Sequence, residues 1–229
     1  MSPSEKAWQA TRQRIAAAAR SAGRDPASVR LLAVSKSKPA DAIRAAYALG
    51  QRAFGENYVQ EATAKIAALA DLPGIEWHLI GPLQGNKARA AAAAFDWVES
   101  IDRLAVAERL SATRDAGQSA LEVCVQVNIS DEATKSGVVP DAALALARAV
   151  ASLPRLALRG LMGIAEPTAD AARQRAQFGV LRELYATARS EGLMLDTLSM
   201  GMSDDLEAAI AEGATLVRIG SALFGPRST

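Results

Sequence analysis

Short apolar runs alternate with amphipathic stretches along this chain, and the alternation repeats eight times. The apolar runs are Leu31 to Lys36, Arg52 to Gly55, Glu76 to Ile80, Trp97 to Ser100, Leu121 to Val127, Leu158 to Ile164, Asp196 to Met200 and Thr215 to Gly220. Each is short and bounded by turn formers, which suits strands of a parallel sheet covered on both faces. Helical spacing fills the gaps: around Asp41, Ile43, Ala46 and Tyr47, from Tyr58 through Leu69, and from about Asn86 to Ala94. It continues from Arg103 to Ala116, after Pro140, from about Asp170 to Ser190, and through Leu206 and Ile210. An opening helix over 4–22 precedes the first strand, with Ser4 as candidate N-cap and Trp8 and Ile15 on its apolar side. Gly23 and Pro26 end it. Strand–helix units in this number predict the α/β class, as a single (β/α)8 TIM barrel with an extra N-terminal helix. One domain is expected to occupy residues 1–229. A doubly wound open sheet alternates similarly, but no strand here leads into a G-x-G-x-x-G turn.

Composition narrows the class. The chain has 229 residues, half of them hydrophobic, and a formal net charge of +1. That balance carries no electrostatic footprint for nucleic acid or an anionic membrane surface. No apolar stretch approaches the roughly 20 residues of a membrane span, and the N-terminus lacks the apolar core of a secretory signal. Cys124, the single cysteine, lies in an apolar run and reads as a small core residue. A chain with no disulfide to form fits a reducing cytoplasm.

Chemistry enters at Lys36. Pro39 follows almost at once, so the first strand stops there. A lysine at the carboxyl end of a buried parallel strand stands where α/β proteins place their chemistry. Partly desolvated, its amine loses a proton more readily and attacks a carbonyl; the plain alternative is a solvated loop lysine beside Lys38. The loops after the seventh and eighth strands, where barrels commonly bind phosphate, read Ser199-Met200-Gly201-Met202-Ser203 and Gly220-Ser221. Gly201 admits close backbone approach to an anion. Ser203 is the expected N-cap of the next helix, and Asp204 and Asp205 are expected to face solvent. The alternative is two ordinary turns. Arg218 alternates with Leu216 and Gly220 and so faces the barrel interior, where it needs a partner; an ion pair within the barrel is its plain role.

An amine, an anion site and an inward guanidinium together describe a site for pyridoxal 5′-phosphate. Arginine cannot accept the ring proton, so it would hold the ring nitrogen unprotonated and make the cofactor a poorer electron sink. Several segments resemble the pyridoxal phosphate homeostasis protein family. They are Ala33 to Lys36, Phe54 to Glu61, Trp77 to Gln84, Gly160-Leu161-Met162, Ser199 to Asp204 and Arg218-Ile219-Gly220. The resemblance runs from about Leu31 to Gly225 and implies a barrel similar to the N-terminal domain of alanine racemase. It also implies Lys36 as the Schiff-base lysine, with Ser199, Gly201, Ser203, Gly220 and Ser221 around the phosphate and Arg218 at the ring nitrogen. Asn57, His78 and Met162 would line the pocket near the ring. Gly85 and Gly163 depart from the family's usual residues.

The function so implied is storage, buffering or delivery of pyridoxal phosphate, with dependent apo-enzymes as candidate partners and the protein monomeric. No catalytic residue and no metal ligand is assigned. Two rivals remain: a racemase using the same cofactor, and a cofactor-free Schiff-base aldolase. Little racemase activity is expected, because Lys36 serves one face of a substrate only. Tyr47 and Tyr185 fit remote helix faces, and Tyr58 is expected to pack. Gly81 to Lys87 has the wrong spacing for a Walker loop. His78, the only histidine, has no partner at triad or zinc spacing. Lys135, in the loop after the fifth strand, is expected to be solvated.

Overall fold

Each of the eight apolar runs forms a parallel strand, and the strands close in chain order into a barrel. The structure is a computed structural model that describes residues 3–130 and 136–225. Its strands are β1 (Arg30–Val34), β2 (Ala53–Glu56), β3 (Glu76–Leu79), β4 (Trp97–Ile101), β5 (Leu121–Val127), β6 (Leu156–Gly163), β7 (Thr197–Ser199) and β8 (Leu216–Ile219). Closure comes from β8 pairing back to β1, with Leu32 opposite Arg218 and Ala33 opposite Ile219.

The helices of the outer ring are α2 (Ala40–Ala48), α3 (Val59–Ala68), α4 (Ala88–Ala94), α5 (Leu104–Thr113), α6 (Pro140–Ala151), α7 (Ala171–Ser190) and α8 (Leu206–Ala211). Before them stands α1 (Pro3–Ser21), and a last turn, α9 (Ser221–Phe224), follows β8. Ser4 lies inside α1 and is not its cap, because Pro3 already occupies the helix. The fifth helix stops earlier than its pattern suggests. Arg114 turns to an extended conformation and its guanidinium donates to the carbonyls of Phe95 and Ser119, each at 2.9 Å. The four residues of α9 are too few for a periodic signal, so the sequence does not announce them.

Alternation along the strands sorts side chains into two shells. Ala33, Phe54, Trp77, Leu79, Val98, Val123, Leu161, Leu198 and Val217 join the large apolar core shared with the helices. The opposite parity fills the barrel. There Leu32, Ala53 and Leu216 form one small apolar cluster, and Trp97, Cys124 and Met162 another. Cys124 is thus a core residue, as expected, and burial pushes its thiol pKa well up. Between these clusters the interior is polar, and the functional site begins there.

The extra helix α1 is tied to this architecture at its apolar stripe. Trp8 and Ile15 are buried, and Trp8 meets Phe224 edge to face at 5.7 Å. Arg14 donates to the Ser203 carbonyl at 2.7 Å and pairs with Glu207, so α1 braces the loop after β7.

Candidate functional site

A cavity of about 260 Å³ opens at the carboxyl ends of the strands. Arg218 lies deepest, level with Leu32 across the β1–β8 pair. Val34, Ile80 and Ile164 make apolar walls, and Lys36, Lys38, Asn57, Ser203, Asp204 and Ser221 stand around the mouth with Gly220. Lys36 sits in the turn just past β1 and is half-buried. The Ser221 hydroxyl lies 3.3 Å from that of Ser203, so the loops after β7 and β8 present two hydroxyls side by side.

Arg218 is held by a line of polar groups running through the barrel. Its guanidinium donates to Ser199 Oγ at 2.7 Å and to the Gly163 carbonyl at 2.9 Å. Ser199 Oγ donates in turn to Glu99 Oε2 at 2.5 Å. The other oxygen of Glu99 lies 2.7 Å from His78 Nδ1, and Glu76 Oε1 lies 2.7 Å from His78 Nε2. A carboxylate only accepts, so both ring nitrogens carry protons and His78 is an imidazolium. It stacks on Trp97 with ring centroids 5.0 Å apart.

The electrostatics follow from that geometry. Burial by itself would lower the pKa of His78, but the hydrogen bonds and charges of Glu76 and Glu99 raise it overall. Burial likewise works against ionised Glu76 and Glu99. The bonds and charge of His78 outweigh it, bringing Glu76 to about 2 and Glu99 below the usual carboxylate range. A raised histidine pKa stabilises the fold fully below the unfolded value of about 6.5 and is lost as pH climbs through the folded one. The depressed carboxylates act oppositely, stabilising above about pH 4.5 and failing as pH falls toward 2. Urea unfolding should therefore show the His78 contribution, taken as wild type minus His78→Gln, level between about pH 5 and 6 and shrinking toward pH 9. A difference that stays flat to pH 9 contradicts the imidazolium.

A second polar cluster sits behind the β1–α2 turn, on the helix side of the barrel. Lys65 Nζ donates to Glu56 Oε1 at 2.8 Å, to Glu61 Oε1 at 2.7 Å and to the Ser35 carbonyl at 2.8 Å. Burial pushes the Glu56 pKa up, against the pull of its bonds from Lys65 and Ser35.

Six of the ten sequence-derived site residues line the cavity: Lys36, Asn57, Ser203, Arg218, Gly220 and Ser221. The other four do not. Ser199 and His78 are wholly buried members of the interior polar line, and Met162 packs beneath with Trp97 and Cys124. Gly201 has φ +95°, and a Cβ there would come within 2.6 Å of the Ala209 Cβ. Its role is to let the loop pack on α8 while its carbonyl accepts from the Arg218 amide at 2.9 Å. Ser203 is not the cap of α8: that position belongs to Asp205, whose side chain accepts from the Met202 amide at 2.5 Å. Asp205 is buried, not solvent-facing, because it closes its own loop; Asp204 alone is exposed, at the cavity rim.

Tyr58 does not pack. It is 63% exposed just outside the cavity lining, since α3 starts only at Val59. Of the two departures, Gly163 presents its carbonyl to Arg218, and Gly85 opens a turn that does not line the cavity. Lys135 lies outside the described residues. Among the described residues no cluster of three or more His, Cys, Asp or Glu side chains is arranged to hold a metal. No described helix is long and apolar enough to cross a membrane. Sequence reasoning missed Glu56, Lys65, Glu76 and Glu99, charged residues set in otherwise apolar strands or helices, a placement that itself demands partners.

Comparison with known proteins matches the chain and its fold. The sequence pattern of the family described as alanine racemase, N-terminal domain, matches residues 8–228. The pyridoxal phosphate homeostasis protein of Pseudomonas aeruginosa is 63% identical over 214 residues, covering 93% of this chain and 91% of that protein. Its namesake in Escherichia coli K12 is 52% identical over 221 residues, covering 94% and 93%. Among solved structures, PipY of Synechococcus elongatus with PLP bound is 45% identical with a TM-score of 0.81, covering 92% of this chain and all of that one.

Proposed function

This chain belongs to the pyridoxal phosphate homeostasis proteins of the alanine racemase N-terminal domain family, and from that premise we propose that it holds pyridoxal 5′-phosphate on Lys36 for storage, buffering or delivery. The observation that carries the reading is the convergence of two amines, Lys36 at the end of β1 and Lys38 beyond it, two hydroxyls and one guanidinium on a single cavity. That donor set fits the cofactor. Lys36 supplies the nucleophile, Ser203, Ser221 and the Gly220 turn supply phosphate donors, and Arg218 presents N–H groups to the ring side. When bound, the cofactor would supply an aldehyde, and Lys36 is the residue that would hold it through its amine.

Arg218 would tune the cofactor toward a poorer electron sink, while the expectation of holding over turnover rests on Lys36 serving one face of a substrate only. Two of the five N–H groups of Arg218 are engaged by Ser199 and Gly163, and a guanidinium has no lone pair to receive a ring proton. The reading includes one cofactor-binding domain spanning the chain, a monomer working in the cytoplasm, and dependent apo-enzymes as recipients. Ser199, His78 and Met162 act from behind the cavity: Ser199 links Arg218 to Glu99, His78 holds the other oxygen of that carboxylate, and Met162 fills the space below.

Two measurements test the reading. Pyridoxal, which lacks the phosphate, should bind far more weakly than its phosphate ester. Ser203→Ala should narrow that gap by roughly tenfold to a hundredfold, the loss of one hydrogen bond to a charged group. Equal binding of the two forms would remove the phosphate assignment of both loops. Cofactor-saturated protein should exchange the α-proton of L-alanine in deuterated water no faster than free pyridoxal phosphate does. Faster exchange that disappears in Lys36→Ala would make the protein an enzyme.

A further inference from the structure

We propose that the cluster of buried Glu56 and Lys65 with half-buried Glu61 is a positioning device that fixes the turn carrying Lys36, an inference that rests on the reading of Lys36 as the cofactor-bearing amine. Strand parity sets the arrangement. Leu32 and Val34 face the barrel interior and Lys36 continues that side into the cavity, whereas Ser35 faces the helices. On the helix side the Ser35 carbonyl accepts from Lys65 Nζ at 2.8 Å, and Ser35 Oγ donates to Glu56 Oε1 at 2.6 Å. One residue beyond Lys36, the Ser37 amide donates to Glu61 Oε1 at 2.6 Å. Ser37 has φ +60°, a left-handed conformation that a serine keeps only where its surroundings impose it.

The groups on either side of Lys36 are therefore tied by three bonds to charged side chains of one cluster, and these are the stronger kind of hydrogen bond. Every one of these bonds comes from the protein's own side chains, so holding the turn does not depend on a ligand. The same cluster separates two lysines that lie close in the fold. Lys65 Nζ has acceptors for all its protons in Ser35, Glu56 and Glu61, which withholds its nitrogen lone pair from an aldehyde. Glu61 is the member to test. Its side chain is 29% exposed, and its loss leaves the buried Glu56–Lys65 pair intact.

Glu61→Ala and Glu61→Gln would be compared with wild type by three readouts. These are borohydride fixation of pyridoxal phosphate resolved by peptide, hydrogen exchange at the Ser37 amide, and Lys36 reductive methylation by formaldehyde without cofactor. Glu61→Ala should release the Ser37 amide to exchange and lower fixation at Lys36 about tenfold at limiting cofactor, with methylation of Lys36 falling relative to Lys38. Glu61→Gln, whose carbonyl still accepts, should recover most of each loss. Faster Ser37 exchange with unchanged fixation and methylation at Lys36 would show a merely structural cluster and overturn the proposal. Wild-type protein that fixes no cofactor at Lys36 would instead overturn the functional reading, and the purpose assigned to the cluster with it.

Discussion

Lys36→Ala should abolish the covalent capture of pyridoxal phosphate and leave the barrel folded. Borohydride treatment of wild-type protein should fix the cofactor on the peptide containing Lys36, and no such peptide should appear in the variant. The effect is large because no neighbouring amine stands in the same place. Lys65 is engaged by Glu56, Glu61 and Ser35 on the helix side of the turn. Lys38 also lines the cavity but lies beyond Ser37, past the left-handed residue that redirects the chain. Stability should change by no more than about 1 kcal/mol, because Lys36 follows β1 and contributes no apolar contact to the core. A variant that fixes as much cofactor as wild type, on Lys38, would show that the assignment to Lys36 is wrong.

Glu99→Ala should be the most damaging single change in the barrel interior. Glu99 is fully buried, and it accepts from the His78 imidazolium on one oxygen and from Ser199 on the other. Its removal leaves two cations, His78 and Arg218, in the interior without the carboxylate between them. Breaking a buried pair by deleting one partner costs on the order of 3–5 kcal/mol, much of it the desolvation of what remains. Arg218 would also lose the support that Ser199 passes to it, so cofactor affinity should fall along with stability. The double variant His78→Leu with Glu99→Leu provides the control. An apolar pair of similar bulk should recover part of the stability, because the uncompensated charge is removed with its partner. Glu99→Ala that unfolds within about 1 kcal/mol of wild type in urea would show that the interior line contributes little.

The linear pattern of residues was enough to set the eight strands, their helices and the closed α/β architecture. Strand burial and helix amphipathicity are local periodicities, and apolar runs such as Leu121–Val127 or Leu216–Ile219 declare themselves without any partner. The position of Lys36 was legible for the same reason, since a lysine ending a buried strand stands out from its neighbours. Inward-facing Arg218 followed from a period of two along β8. Caps and ends were less legible. Ser203 and Asp205 both suit the start of α8, and only the loop's own closure onto the Met202 amide chose Asp205.

The partners of the interior charges belong to the tertiary structure alone. Glu99 and Ser199 meet across a separation of 100 residues, and His78 reaches Glu99 over 21. Neither distance follows a motif, because it is set by barrel closure and by the register of strands with loops of unequal length. For that reason His78 has no visible partner in the sequence, and Ser199, read there as a phosphate ligand, lies buried between Arg218 and Glu99. Residue type along the chain determines which groups need a partner, since burying a charge without one is costly. Only the closed barrel, by bringing β3, β4, β7 and β8 around one narrow interior, determines which partner each one finds.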